Sequence, residues 1–194
     1  VPMYFLNHNN NLDVDVNLLG KKQKENAELA VFALKYLKGY KINTLAINEG
    51  LRKVKWYGRN QILQNNPLVI FDVAHNYEGF KCFLNYYKSL KIFGKSILVI
   101  ALYSRKQIND IIPELEKVFQ HIICTETQAR NPMSAENIRE NFSQKTSINI
   151  IKDATLALKR GIAQLSSGDG MAILGSHCLG PAVNDVFKIS FDNI

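Results

Sequence analysis

The sequence predicts an α/β fold in which a mostly parallel sheet is covered by helices on both faces. From Pro67 onward, short apolar runs alternate with amphipathic segments along the chain. The runs are continuously apolar, as in strands that are buried on both faces, and the segments between them have the apolar spacing of helices. Because repeated strand–helix units bring the chain back to the same edge of a sheet, the strands are expected to be parallel.

The individual elements of this region follow from local signals. Predicted strands cover residues 68–72, 96–102, 121–125, 148–151 and 171–175, and predicted helices cover residues 77–90, 106–119, 134–142, 154–165 and 181–187. Asn76, Ser134 and Asp153 each precede a predicted helix and are expected to cap it, because their side-chain oxygens can accept hydrogen bonds from the first turn. A stretch rich in Ser, Gly and Asp predicts a turn at residues 166–170.

The first part of the chain has a different organisation. Two helices are predicted there, at residues 23–38 and 43–52. The first of them is apolar on nearly every side, and such a helix is usually buried against another element. We place a boundary near Trp56, which gives two expected domains, residues 1–57 and residues 58–194.

Composition narrows the classes of function. The chain has 194 residues and a formal net charge of +7, but its Lys and Arg residues are spread out and no recognition motif accompanies them. Anionic small molecules are therefore favoured over nucleic acid as ligands. No apolar run approaches the roughly 20 residues that a membrane span needs, so no membrane partner is expected. Three distant cysteines match neither a disulfide framework nor a metal site, and a cytoplasmic protein with reduced thiols is the simplest interpretation.

The most informative polar residues follow the strand predicted at residues 68–72. Asp72, His75 and Asn76 lie between this strand and the next predicted helix. Ligands bind at such strand ends in open α/β sheets, where a helix start also offers free N–H groups. Asp72 is equally well suited to accept hydrogen bonds from a ribose and to hold a turn. His75 could contact a carboxylate or phosphate, or be structural.

Two further segments carry candidate ligand contacts. Arg59, after Gly58, could pair with phosphate oxygens, although a surface role is the commoner one for an arginine. Gly175 and Ser176 follow the last predicted strand, where a hydroxyl group and free N–H groups can bind an anion. The chain contains neither the phosphate loop G-x-x-x-x-G-K-S/T nor the dinucleotide fingerprint G-x-G-x-x-G.

Four motifs, in this order and covering most of the chain, resemble the folylpolyglutamate synthase/dihydrofolate synthase family of the Mur ligase superfamily. They are the helix start at residues 19–27, Trp56-Tyr57-Gly58-Arg59, Asp72-Val73-Ala74-His75-Asn76 and Gly175-Ser176. Tyr57 and Val73 depart from the Pro and Gly that are usual in the family. Arg105-Lys106-Gln107 stands where the family often has D-K-D, and Arg130 lies near a position that is often basic.

The resemblance implies a Rossmann-like C-terminal domain of a Mur ligase, preceded by a short helical remnant of the central ATPase domain. It implies an ATP-dependent amide ligase that adds L-glutamate to folate or dihydropteroate through an acyl phosphate. Asn26, Arg59 and Asp72 would contact ATP, and His75 and Ser176 would contact glutamate. Arg59 and His75 would be the catalytic residues.

The same resemblance implies that part of the site lies outside this chain. The family's phosphate loop and Mg²⁺ ligands belong to an N-terminal ATPase domain, which this chain would contact, so no metal-binding residue is expected here. We expect the 194-residue chain to be inactive alone. Two alternatives stay open at this point: a cell-wall Mur ligase that adds an amino acid to a nucleotide-linked peptide, and a non-catalytic α/β binding module.

Overall fold

A computed structural model describes residues 15–104, 108–144 and 147–189. The chain divides into two compact units, of which the first ends at Lys55 and the second begins at Trp56. Within the described residues, every helix is too short or too polar to cross a membrane.

The first unit contains two helices, α1 at Lys21–Leu34 and α2 at Thr44–Lys53. Asn43 caps α2, because its side-chain oxygen accepts a hydrogen bond of 2.8 Å from the Ala46 N–H. Ala27 and Val31 of α1 are buried against Val16, Ile47 and Leu51. The expected burial of α1 on nearly every side does not occur within this unit, where Leu29 is 53% exposed.

The second unit is built on a six-stranded sheet with the order β1-β2-β6-β3-β4-β5. The strands are β1 (Gln61–Asn65), β2 (Leu68–Asp72), β3 (Ser96–Ile100), β4 (His121–Cys124), β5 (Ser147–Ile150) and β6 (Gly170–Leu174). The helices are α3 (Tyr77–Ser89), α4 (Ile112–Val118), α5 (Ala135–Glu140), α6 (Ala154–Ile162) and α7 (Gly180–Phe187). Every neighbouring pair of strands is parallel except β1 and β2, which confirms the mostly parallel α/β sheet.

Alternate residues of the central strands enter two separate cores. Ile70, Leu98 and Ala172 pack on the face that α3, α4 and α5 cover. Val69, Val99 and Ile173 pack on the other face, which α6 and α7 cover. All six side chains are fully buried. This two-sided burial is why the sequences of these strands are continuously apolar rather than alternating.

The structure confirms the helix caps and the turn that were predicted from local sequence signals. Asn76, Ser134 and Asp153 cap α3, α5 and α6 through side-chain oxygens that accept N–H groups of the first turn. The 166–170 stretch also turns, with the Asp169 N–H donating to the Ser166 carbonyl at 3.0 Å. These signals act within three or four residues and so do not depend on the rest of the fold.

Three expectations about the elements were wrong. β1 was not anticipated, and β5 is mostly exposed because it lies at the edge of the sheet. Of the helix expected at residues 106–119, residues 106 and 107 lie outside the described residues, and the described part becomes α-helical only at Ile112, after a 3-10 turn at Asn109–Ile111. Pro113 accounts for the late start, because a proline is tolerated in the first turn of an α-helix and disrupts one further in.

The turn after β6 requires a glycine for two reasons, and this can be tested. Gly175 has a φ of +106°, and a Cβ atom there would collide with the Ala101 carbonyl oxygen, whereas Gly168 has a φ of +85° with open space around its Cα. We expect Gly168→Ala to cost only the left-handed backbone penalty of about 1–2 kcal/mol. Gly175→Ala adds an overpacking cost of about 1–3 kcal/mol.

The free energy of unfolding in urea measures both glycine variants on the same unit. Equal losses for Gly168→Ala and Gly175→Ala would mean that the contact with Ala101 does not constrain the turn.

Candidate active site

The carboxyl ends of β2 and β6 form the centre of the candidate site. Asp72 at the end of β2 lies opposite Leu174 at the end of β6, and Leu174 in turn lies opposite Ile100 of β3. β2 and β3 continue toward helices on one face of the sheet, whereas β6 continues into α7 on the other face. Where neighbouring connections diverge in this way, an open α/β sheet has a crevice that can receive a ligand.

Asp72 is a buried carboxylate that is held by the backbone. Its residue is only 6% exposed. Oδ2 accepts the Asn60 N–H at 2.8 Å and Oδ1 accepts the Ala74 N–H at 2.8 Å. Burial raises the pKa of Asp72 above its ordinary value of 3.8, although these two N–H groups, Arg59 and His75 all act to lower it. Two of the four lone-pair directions of the carboxylate remain for other donors.

Arg59 lies in the turn that Asp72 holds. The turn precedes β1, and its Gly58 carbonyl accepts the Val73 N–H at 2.9 Å. Arg59 is half-buried, and its positive charge helps to stabilise the Asp72 carboxylate. β1 and β2 therefore bring together two residues that are 13 positions apart, because the antiparallel register places Gln61 opposite Phe71.

His75 follows Asp72 in a tight turn before α3. Its Nδ1 lies 2.9 Å from the Val73 carbonyl oxygen. A carbonyl can only accept, so Nδ1 carries the proton in this contact and Nε2 is the atom that can face a ligand. The side chain of Asn76 caps α3, because its oxygen accepts the Gly79 N–H at 2.8 Å.

Ser176 lies on the neighbouring strand exit and is also buried. Its Oγ accepts the Cys178 N–H at 3.1 Å, which caps the short 3-10 turn at His177–Leu179. The Cys178 Sγ lies 3.7 Å from the Tyr103 hydroxyl, and this contact is the main cause of a raised pKa for Tyr103. The exits of β3 and β6 are thereby connected.

The other expected site residues lie elsewhere or outside the described residues. Asn26 is on α1 of the first unit, where its side chain is exposed. Arg130 is exposed in the loop after β4. Arg105-Lys106-Gln107 falls outside the described residues. Among the described residues, no three His, Cys, Asp or Glu side chains are grouped so that they could hold a metal ion.

Comparison with known proteins assigns the family. The family described as Mur ligase, glutamate ligase domain, matches residues 58–177. The chain belongs to this Mur ligase family. The match includes Arg59, Asp72, His75 and Ser176, so this part of the candidate site lies within the Mur ligase domain.

Individual relatives are consistent with the Mur ligase assignment. The dihydrofolate synthase/folylpolyglutamate synthase of Escherichia coli K12 is 28% identical over 151 residues, which are 78% of this chain and 35% of the relative. The chain thus spans about a third of the length of the curated relatives that it matches.

Solved structures share the fold. E. coli FolC in complex with DHPP and ADP has a TM-score of 0.78 at 24% identity, over 90% of this chain and 41% of FolC. The bifunctional folylpolyglutamate synthase/dihydrofolate synthase from Yersinia pestis, complexed with AMPPNP and Mn ion, has a TM-score of 0.78 at 23% identity, over 92% of this chain and 42% of that enzyme.

Gln61 is a residue of the Mur ligase domain that the motifs did not bring to attention. Its side-chain oxygen accepts the Gly58 N–H at 2.9 Å, on the other side of Arg59 from the Asp72 contact. The only signal in the sequence was its position three residues after Gly58, a spacing that permits a side chain to reach back to a turn.

Two aspartates of the Mur ligase domain are expected to make the free energy of unfolding depend on pH in opposite directions. The pKa of Asp72 is raised by burial, whereas the pKa of Asp169, at the other end of the sheet, is lowered chiefly by the Ser166 N–H. Asp72 therefore contributes stability below its unfolded pKa, and this is lost as pH rises through its native pKa. Asp169 contributes stability above its unfolded pKa, and this is lost as pH falls through its native pKa.

The variants Asp72→Asn and Asp169→Asn test these two opposite contributions to the free energy of unfolding. As pH falls from about 7 toward 3.5, the free energy of unfolding of the unaltered protein should rise relative to Asp72→Asn and fall relative to Asp169→Asn. Denaturant titrations at a series of pH values measure both differences. A change of the same sign for the two variants contradicts the assigned environments.

Proposed function

We propose that this chain is the C-terminal part of an ATP-dependent ligase that joins L-glutamate to folate or dihydropteroate. The observation that carries the proposal is the glutamate ligase domain match at residues 58–177, because the matched region contains the strand-end group Arg59, Asp72 and His75. Residues 1–57 would then be the end of the central ATP-binding domain. The remaining two thirds of such an enzyme would supply the phosphate loop, the Mg²⁺ ligands and a surface that this chain contacts.

The reaction would proceed in two steps. A carboxylate oxygen of the folate or dihydropteroate attacks the γ-phosphorus of ATP, and the bond to the ADP oxygen breaks to leave an acyl phosphate. The amine of L-glutamate then attacks the acyl carbon, phosphate leaves, and the amine loses a proton as the amide forms. Because charge moves onto phosphate oxygens in both steps, a positioned guanidinium is useful throughout.

The residues of the second unit fit parts of this scheme. Arg59 is held in a fixed turn beside the crevice, which suits a contact to ATP phosphates. Asp72 keeps two lone-pair directions for ribose hydroxyl groups. His75 and Ser176, at neighbouring strand ends, would bind glutamate, with His75 Nε2 as the contacting atom. Asn26, in the first unit, would contact the adenine base.

ATP and a divalent metal ion are the cofactors of the proposed enzyme. The bound ADP of E. coli FolC and the AMPPNP and Mn ion of the Y. pestis enzyme support this choice. ATP brings the activating phosphoryl group, and the metal ion would offset its charge. Within this chain, the contribution is the Arg59 cation and the hydrogen-bond acceptors of Asp72.

The first test compares the 194-residue chain with the full-length protein that contains it. The full-length protein should form ADP and ligate radiolabelled glutamate when dihydropteroate or a reduced folate is supplied, and the chain alone should do neither. Ligation by the chain alone contradicts the proposed division of the site. Ligation only with a UDP-linked muropeptide would instead identify a cell-wall ligase, and no ligation by either protein would favour a binding module.

A second test concerns Arg59 in the full-length protein. Arg59→Ala should lower kcat/KM for ATP about 100- to 1,000-fold, the range seen when one donor that stabilises transition-state charge is removed. Arg160→Ala is the matched control, because Arg160 is an exposed arginine on α6 of the same unit. Equal activity of the two variants would remove Arg59 from the phosphate site.

A further inference from the structure

The turn that carries Arg59 is held on both sides of that residue. Gly58 has a φ of +70° and Asn60 a φ of +45°, so left-handed residues flank Arg59. Glycine and asparagine are the residue types that adopt this conformation most readily, so the sequence suits the turn at both positions. The direction in which the chain carries Arg59 then depends on the contacts of these two flanking residues.

Three hydrogen bonds fix the backbone of this turn. The Gly58 carbonyl accepts the Val73 N–H at 2.9 Å, and the Asn60 N–H donates to Asp72 Oδ2 at 2.8 Å. The third joins the Gly58 N–H to Gln61 Oε1 at 2.9 Å. The Gly58 residue is buried, and a Cβ atom there would lie 2.6 Å from Val73 Cγ1. Because the turn is packed this closely, its conformation depends on each of these contacts.

Gln61 holds the Gly58 N–H, whereas the end of β2 holds the Gly58 carbonyl through the Val73 N–H. Its backbone belongs to β1 and pairs with Phe71, so its side chain is free to turn back toward Gly58 while the strand stays in place. Loss of the side-chain acceptor would leave a buried N–H without its partner, which is costly. The chain before Arg59 would keep the Val73 contact to the Gly58 carbonyl but lose the contact to the Gly58 N–H, and would therefore be easier to displace than in the unaltered protein.

We propose that Gln61 is a positioning residue for Arg59. Together with Val73, Gln61 fixes the entrance of the turn at Gly58, as Asp72 fixes its exit at Asn60, and the guanidinium is thereby held at the strand-end crevice. The structural part of this assignment stands on the three hydrogen bonds. The catalytic part rests on the proposed function, in which Arg59 contacts ATP phosphates.

The structural part is tested by limited trypsin digestion of the full-length protein. Gln61→Leu should speed cleavage after Arg59 several-fold, whereas Gln61→Glu, which keeps an acceptor oxygen, should stay near the unaltered rate. Gln64→Leu is the matched control, because Gln64 lies on the same strand but donates to the Pro67 carbonyl. The rate of cleavage after Arg160 on α6 reports general unfolding. Unchanged cleavage after Arg59 in Gln61→Leu overturns the assignment, as does equal acceleration at both arginines.

The catalytic part is tested by a double-mutant cycle on ATP-dependent glutamate ligation. Gln61→Leu should lower kcat/KM for ATP about tenfold, because small displacements of a positioned group have large effects on rate. In an Arg59→Ala background it should have no further effect, and Gln61→Glu should restore most of the activity. Additive losses would mean that Gln61 does not act through Arg59.

The digestion experiment and the ligation experiment can contradict the structural and the catalytic role of Gln61 independently of each other. If Arg59→Ala leaves ligation unchanged, the proposed role of Arg59 is wrong while the digestion result still decides whether Gln61 holds the turn.

Discussion

The geometry at the carboxyl end of the sheet depends on the buried carboxylate of Asp72. A charge that is removed from water must be compensated by hydrogen bonds, and here the donors are backbone N–H groups from two different segments. One segment precedes β1 and the other follows β2. A single side chain therefore ties the Arg59 turn and the His75 turn to the end of one strand, and the position of both candidate ligand contacts follows from it.

Much of the second unit was readable from the sequence because its signals are local or strongly periodic. Continuous apolar runs predicted the buried strands, and Asn76 and Asp153 predicted helix starts by a mechanism that spans three residues. β1 was missed because only two of its five residues, Ile62 and Leu63, are apolar, so it has neither a continuous apolar run nor a strict alternation. It is stabilised by pairing with β2. The exposure of β5 depends on strand order, which the apolar pattern does not encode.

The roles of the candidate site residues stay predictions, but the structure shows which of these residues lie close together. The motifs singled out Arg59, Asp72 and His75, and the β1–β2 register brings the first two together. The turn-holding role that the sequence allowed for Asp72 is present, since its oxygens accept the Asn60 and Ala74 N–H groups. The sequence did not indicate which donors these are, because every residue except proline has a backbone N–H group. Gln61 was missed for the same reason, because its partner is the N–H of a glycine.

The position of β6 in the sheet limits the order in which the sheet can form during synthesis. β6 is the last strand in the chain, yet it lies between β2 and β3 and pairs with both. During synthesis, the β1–β2 hairpin and the β3–β4–β5 ladder can form early, but they have no contact through the sheet until residues 170–174 leave the ribosome. Contacts between such distant segments form slowly. The contacts of the Arg59 turn lie within the β1–β2 hairpin and can form before β6 is in place, whereas the crevice needs β6. The strand that joins the two halves of the sheet therefore also completes the candidate site.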